Sequence, residues 1–362
     1  KKNAITVHTG TARLTAADTL EIRAEGKATA TITAPHIVLA TGARPRSIPN
    51  VTIDRKRIIT SSEAMTLPAR PESMIIIGAG AIGIEFATFY NALGTKVTVV
   101  EMMPSILPIE DAELTKLLAT SLTRRGVELL TGARVEGAQA GNTGVSVSVQ
   151  QGGESRTLTA DVALVAIGVQ GNVEHLGLEA LGVRVERGHI AVDTRYRTTT
   201  PGIYAIGDVI GPPWLAHVAS AEGICCVEAI AGKEPHPVDY TCVPGCTYCS
   251  PQLASVGLTE ESAKAEGYEV KVGRFPYRPL GKAMAIGETE GMVKLIFDAK
   301  YGEILGAHIL GTDATELIAE LVLAKRMELT GPDLFHTMHA HPTLSEAVME
   351  AAAAAYGEAI SI

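Results

Sequence analysis

Between Ser73 and Glu85 an apolar strand runs into a glycine-spaced turn and then into a helix, Ser-Met-Ile-Ile-Ile-Gly78-Ala-Gly80-Ala-Ile-Gly83-Ile-Glu85. Few patterns restrict a fold more narrowly. Gly78 permits the tight turn, Gly80 lets the backbone approach a pyrophosphate, and Gly83 lets helix and strand pack closely, with the opening amides of the helix facing the anion. A second strand, Lys96 to Val100, comes after the helix and ends at Glu101. A carboxylate at that point accepts hydrogen bonds from the adenosine ribose hydroxyls and repels a 2′-phosphate, so the segment predicts NAD rather than NADP. The competing explanation is a glycine-rich turn with an incidental acid at a strand end.

A chain of 362 residues, 46% hydrophobic and 20% charged, has room for two or three domains with real cores. Its 31 basic and 40 acidic residues give a net charge of -9, and no basic cluster stands out to track a phosphate backbone, which argues against nucleic-acid binding. No apolar run reaches the roughly eighteen residues that span a bilayer. Polar alternation after Lys1-Lys2-Asn3 is unlike a signal-peptide core. A cytoplasmic or mitochondrial-matrix protein is expected, with small molecules or proteins as partners. Five cysteines in this length make no disulfide scaffold.

The expected fold class is α/β, with a Rossmann-like dinucleotide-binding domain, a fragment of a further sheet domain, and a C-terminal α+β domain. Residues 1–67 read as a partial sheet domain without an evident helix. It holds β-segments at Ile5–His8 and Thr29–Thr33 and an apolar strand, His36–Ala40, ending in Thr41-Gly42-Ala-Arg-Pro. Residues 68–190 alternate strands and helices, which predicts a parallel sheet, and Gly168 beyond the Ala163–Ala166 strand joins the dinucleotide-contact candidates. Residues 191–240 carry a strand stopping at Gly207-Asp208 and a helix from about Leu215 to Ala231. Residues 241–362 place strands before helices.

Three imidazoles and a carboxylate fall within Phe335-His336-Thr-Met-His339-Ala-His341-Pro-Thr343-Leu-Ser-Glu346. Three explanations compete. The histidines offer enough ligands for a metal, but Pro342 breaks the segment and no cysteine is near, so none is predicted. Thr343 and Glu346 have the spacing of a capping box, in which Glu346 only bonds a backbone amide. Alternatively Glu346 orients one nitrogen of His341, and the other exchanges protons with a substrate thiol. Capping and orientation are compatible, because a carboxylate has lone pairs for both.

Taken in order, Ala-Thr41-Gly42-Ala-Arg-Pro, the Gly78–Glu85 segment, Val-Thr-Val-Val-Glu101, Ala-Ile-Gly-Asp208, Leu-Ala-His217 and His339-Ala-His341-Pro-Thr-Leu-Ser-Glu346 resemble the dihydrolipoamide dehydrogenase family. That family belongs to the flavin disulfide oxidoreductases, and the resemblance covers nearly the whole chain, implying that residues 1–67 are a partial FAD-binding domain and 191–240 its remainder, 68–190 an NAD-binding domain and 241–362 a dimerisation domain. It implies FAD and NAD as cofactors and oxidation of dihydrolipoamide to lipoamide with reduction of NAD+. It also implies a homodimer and a lipoyl domain of a 2-oxo acid dehydrogenase complex as partner. By resemblance, Thr41, Gly42 and Asp208 line the FAD site, and Leu215, Ala216 and His217 set a helix start beside the flavin ring. Glu85 lies where nicotinamide meets flavin, and His341 with Glu346 forms the base dyad. A bland alternative for Asp208 is a turn-forming residue that caps the next segment.

The sequence also departs from the family. Complete members begin with a separate Gly-x-Gly-x-x-Gly unit and a Cys-x4-Cys helix. Here the cysteines are Cys225, Cys226, Cys242, Cys246 and Cys249, and no two have four residues between them. The expectation is therefore the family's middle and C-terminal portion, incomplete for turnover but with an intact NAD cradle. Cys242, Cys246 and Cys249 have iron–sulfur or half-zinc spacing, yet packing or surface thiols are the favoured reading, and Cys225 and Cys226 read as small buried residues. A glutathione-reductase-like enzyme is the alternative function, opposed by an acid where such enzymes usually place arginines. A non-catalytic NAD-binding fragment is the third.

Overall fold

The computed structural model describes residues 2–361. Two compact units emerge, one from residues 2–44 with 169–239 and the other from 45–168 with 240–361.

In the first unit, Thr11–Ala16, Thr19–Ala24 and Lys27–Thr33 form an antiparallel three-stranded sheet, while Ile37–Leu39 pairs in parallel with Ile203–Ala205. Leu14, Ile37, Leu39, Val183, Ile203 and Val209 make its core. The chain leaves Ile203–Ala205 through a short 3₁₀ turn, Gly207–Ile210, and enters the helix Ala216–Ile230. Cys225 and Cys226 lie buried on this helix against Tyr196 and Tyr204. The strand expected at Ile5–His8 does not form, as those residues are exposed and unpaired in any sheet.

The second unit is built on a parallel sheet in the order Ile58–Ile59, Val162–Val165, Ser73–Ile77, Lys96–Val100, Glu128–Leu130. Helices Ala81–Ala92 and Ala112–Arg124 connect its middle strands. Met74 to Ile77 are all buried, as a strand covered on both faces requires. The expected parallel sheet forms, but three of the strands in this stretch stay outside it. Ala133–Ala140, Val145–Gln151 and Glu154–Ala160 form a separate antiparallel sheet, in which Val145, Val147 and Val149 are buried and Ser146 and Ser148 are exposed. That one-sided pattern belongs to an antiparallel sheet with a single covered face.

Residues 240–362 add an antiparallel sheet ordered Gly245–Thr247, Gln252–Gly257, Ile304–Gly311, Met292–Asp298, Val270–Pro276, on which Ala314–Arg326 and Glu346–Ala354 pack. Short helices at Glu260–Ala265, Gly281–Ile286 and Gly331–His336 were not anticipated. Neither was the one-turn helix Ser61–Ala64 in a region read as helix-free.

By compactness, residues 45–67 fall with the parallel sheet and residues 169–190 with the first unit. Ile58–Ile59 pairs with Val162–Val165, which draws 45–67 into the parallel-sheet unit. Asn172 and Leu176 bond the backbone at Gly42 and Leu14, which draws 169–190 into the first unit.

Candidate functional site

The carboxyl edge of the parallel sheet opens into a cleft of about 820 Å³ lined by Gly78, Gly80, Glu101, Arg46, Arg134 and Gly168, among others. Three glycines shape it by different means. Gly78 has φ +105, and a Cβ there would meet the Ala166 carbonyl at 2.4 Å. A Cβ on Gly83 would lie 2.0 Å from the Gly78 carbonyl, so strand and helix touch through this residue. Gly80 caps the helix with φ -72 and no side-chain cap bond, and a Cβ there would meet nothing within 4 Å. The first helical amides lack intrahelical acceptors and favour an anion at that end. Size, an open cradle and unpaired amides together fit a dinucleotide.

Glu101 holds this edge together. One carboxylate oxygen accepts from the Ala79 amide at 2.7 Å and the other from the Met103 amide at 2.8 Å. Each oxygen keeps a second lone pair for a ligand hydroxyl. Glu85 and Gly83 are not among the residues lining the cleft. Glu85 instead accepts from the Tyr248 amide at 2.9 Å, and burial pushes its carboxyl above the ordinary range despite that bond.

In the first unit, Thr41 and Asn172 clasp each other, with Thr41 Oγ1 donating to the Asn172 carbonyl at 2.8 Å and Asn172 Nδ2 donating to the Thr41 carbonyl at 2.9 Å. Gly42, at φ +68 with open space where a side chain would be, accepts from the Asn172 amide. Asp208 sits in the 3₁₀ turn after Gly207, whose amide donates to buried Glu222 at 2.7 Å. Leu215 is the N-cap of the Ala216–Ile230 helix without a side-chain cap, so the amides near Ala216 and His217 open that helix. Asn172 and Glu222 escaped sequence reasoning, because only tertiary contacts single them out.

At the far end of the chain, His341 Nδ1 lies 2.9 Å from Glu346 Oε1, and Glu346 Oε2 accepts from the Thr343 amide at 2.8 Å. One carboxylate thus serves both roles. Burial raises the Glu346 carboxyl, but the Thr343 amide and His341 outweigh it and hold it below its usual value. Side-chain exposure is 75% for His341 and 17% for Glu346, so the ring stands in solvent on an anchored base. The expected capping box is only half present. Thr343 Oγ1 donates to the Ala340 carbonyl, and the helix begins at Glu346 with Ser345 as a cap that makes no side-chain bond.

His339 forms a second pair that the sequence did not reveal. Its Nε2 meets Glu320 at 2.9 Å and its Nδ1 meets the Thr337 carbonyl at 2.9 Å, while its side chain is 6% exposed. The bond to Glu320 raises its pKa against the opposing effect of burial. Both nitrogens are occupied, so this ring is a strut rather than a proton shuttle.

All five cysteines are free. Burial pushes the Cys249 thiol up to about 12 and the Cys226 thiol to about 11, and it raises Cys246 as well, with Glu110 adding to the effect. None of these three is a ready thiolate at neutral pH.

No helix among the described residues is long and apolar enough to cross a membrane. The dihydrolipoyl dehydrogenase of Rhizobium etli is 51% identical over 92% of this chain and 70% of its own length. That of Chlorobaculum tepidum is 49% identical over 97% of this chain and 75% of its own length. Among solved structures, LpdA from Mycobacterium tuberculosis superposes with a TM-score of 0.85 at 31% identity, covering 96% of this chain and 74% of that one. The HOCl-induced flavoprotein disulfide reductase RclA from Escherichia coli gives 0.87 at 29%, covering 95% and 78%. Residues 1–223 match the pyridine nucleotide-disulphide oxidoreductase family and residues 243–352 match the dimerisation domain of that name, so the chain belongs to the pyridine nucleotide-disulphide oxidoreductases.

Proposed function

We propose that the chain acts as a dihydrolipoyl dehydrogenase, oxidising dihydrolipoamide to lipoamide with FAD and reducing NAD+ to NADH. Two electrons and two protons leave the dithiol; NAD+ takes a hydride, and one proton is released. FAD, when bound, supplies a reversible two-electron acceptor between sulfur and nicotinamide.

The chain's own residues have separable tasks. Gly78 and Gly80 admit the NAD pyrophosphate, Gly83 keeps the helix start against the strand, and Glu101 and Gly168 border the same cleft. Glu101 would accept the adenosine ribose hydroxyls, which makes a 2′-phosphate unwelcome. Thr41, Gly42, Asp208, Leu215, Ala216 and His217 would hold FAD, and Glu85 would stand toward the nicotinamide–flavin junction. We assign the parallel sheet to NAD, the N-terminal region with residues 191–240 to FAD, and residues 241–362 to contact with a second copy. A homodimer, a lipoyl-domain partner and a cytoplasmic or matrix location go with this assignment.

The observation that carries the reading is the His341–Glu346 pair. Glu346 fixes Nδ1 and is itself fixed by the Thr343 amide, which leaves Nε2 of an exposed ring to take a proton from a thiol. A dithiol reacts through its thiolate, so taking that proton readies the substrate sulfur for oxidation. Replacing Glu346 with Gln keeps the shape and removes the charge. In protein that carries the family's Cys-x4-Cys segment together with these residues, dihydrolipoamide oxidation by Glu346→Gln should fall about 10²-fold or more, the usual worth of a positioned base, with little change in urea midpoint. Equal losses of rate and stability would reduce Glu346 to a cap. An absorbance spectrum of the purified protein tests the flavin assignment independently.

A further inference from the structure

We infer that Arg46 is the cation that meets the dinucleotide's phosphate on the nicotinamide side, a positioning residue no motif identifies; this rests on the cleft being the NAD site.

The order of strands gives the cleft a direction. Along the sheet, Val162–Val165, Ser73–Ile77 and Lys96–Val100 are successive neighbours. Their carboxyl ends present Ala166–Gly168, Gly78–Gly80 and Glu101 in the same order, and beyond Glu101 the Ala133 amide donates to the Glu101 carbonyl. With the adenosine ribose at Glu101 and the pyrophosphate at Gly80, the other half of the ligand extends toward Gly168. Arg46 stands there. Its amide donates to the Gly168 carbonyl at 3.0 Å, and a Cβ on Gly168 would lie 3.9 Å from Arg46 Cδ, so the side chain runs past this glycine on the cleft wall.

The neighbouring arginine shows what a structural guanidinium looks like in this chain. Arg44 is spent within the protein, on both oxygens of Glu174 at 2.8 and 2.6 Å and on the Gly171 carbonyl and Asn172 Oδ1 at 3.1 Å each. The Arg46 guanidinium has no such partner among the described residues, though it lines the cleft that would take the doubly negative pyrophosphate. Arg134 also lines the cleft, on the strand Ala133–Ala140 beyond Glu101, and so belongs to the adenosine end. Glu136 is the second acid on the wall, on that same strand. Among the residues lining the cleft, the nicotinamide side therefore carries a positive charge with no acid on the wall beside it, and a guanidinium can grip a phosphate with two parallel bonds.

The test is calorimetric titration of the full chain with NAD, ADP-ribose and AMP, for wild type, Arg46→Gln, Arg46→Lys and Arg134→Gln, with thermal melts run alongside. Arg46→Gln should weaken NAD and ADP-ribose about tenfold, leave AMP within about twofold and keep the wild-type melt, with Arg46→Lys recovering part of the loss. Unchanged NAD affinity in Arg46→Gln, an equal loss for AMP, or a loss confined to Arg134→Gln overturns the assignment. A wild-type chain that binds none of the three ligands instead sinks the reading of the cleft as the NAD site, and with it the premise.

Discussion

Gly80 and Gly83 occupy the same motif yet do different physical work, and alanine at each separates the two. At Gly83 the added Cβ would sit 2.0 Å from the Gly78 carbonyl, a backbone atom that cannot move without dragging the turn. Gly83→Ala should therefore lose about 1–3 kcal/mol in urea unfolding, the usual cost of overpacking. At Gly80 the Cβ meets nothing and φ is -72, a value any residue adopts. Gly80→Ala should melt like wild type while binding NAD at least tenfold more weakly, about 1.4 kcal/mol, because the methyl occupies space the pyrophosphate needs. A Gly80→Ala chain with wild-type NAD affinity would mean that the backbone there is not approached. The motif makes the two glycines look alike; only the atoms around them show which serves packing and which serves a ligand.

The helix Ala112–Arg124 and the strand Met292–Asp298 are joined by charge as well as by packing. Asp111 caps the helix by accepting from the Glu113 amide, and it binds Lys294 Nζ at 3.0 and 2.8 Å, with 4% exposure for the lysine and 3% for the acid. Glu113 and Glu260 approach the same ammonium at 3.1 and 2.9 Å, and Arg274 pairs with both acids. Burial raises the Asp111 carboxyl, yet Lys294 outweighs it and lowers it, while Lys264 and Lys294 hold Glu260 down to about 2. Carboxyls depressed in this way stabilise the fold above their unfolded pKa of about 4, and that contribution fades as pH falls through the folded values toward 2. Lys294→Met should cost about 3–5 kcal/mol at pH 7, because it strands a buried Asp111. The gap to wild type should narrow by pH 4, where the stranded carboxyl takes a proton. Urea unfolding at the two pH values measures this, and a gap independent of pH would remove charge from the explanation. No local pattern joins the two elements, since 183 positions separate Asp111 from Lys294.

Across the whole molecule, the features legible in the sequence were local ones. Gly78, Gly80, Gly83 and Glu101 fix their own geometry within thirty residues or so, and the parallel core of the second unit is built on them. His341 and Glu346 were readable together for the same reason, being five positions apart. Periodicity could not say that Val145, Val147 and Val149 belong to a separate antiparallel sheet, because buried alternate positions look the same whichever sheet pairs them. His339 with Glu320 and Gly207 with Glu222 depend on a turn or a helix delivering one partner to the other. The cofactor preference is where local reading makes its strongest claim on the folded protein. A ligand that binds only the native state stabilises it by RT ln(1 + [L]/Kd), about 2.7 kcal/mol at a hundredfold excess over Kd. Glu101 already accepts from two backbone amides, which fixes its carboxylate in place. It therefore cannot swing away from a 2′-phosphate. NAD should raise the melting temperature of the chain in proportion to the logarithm of its concentration, while NADP at the same concentrations leaves it nearly unchanged. Glu101→Gln should narrow that difference by removing the repulsion, with NAD losing affinity and NADP gaining it. Equal stabilisation of wild type by the two nucleotides would mean that the acid at the end of Lys96–Val100 holds the turn and selects nothing.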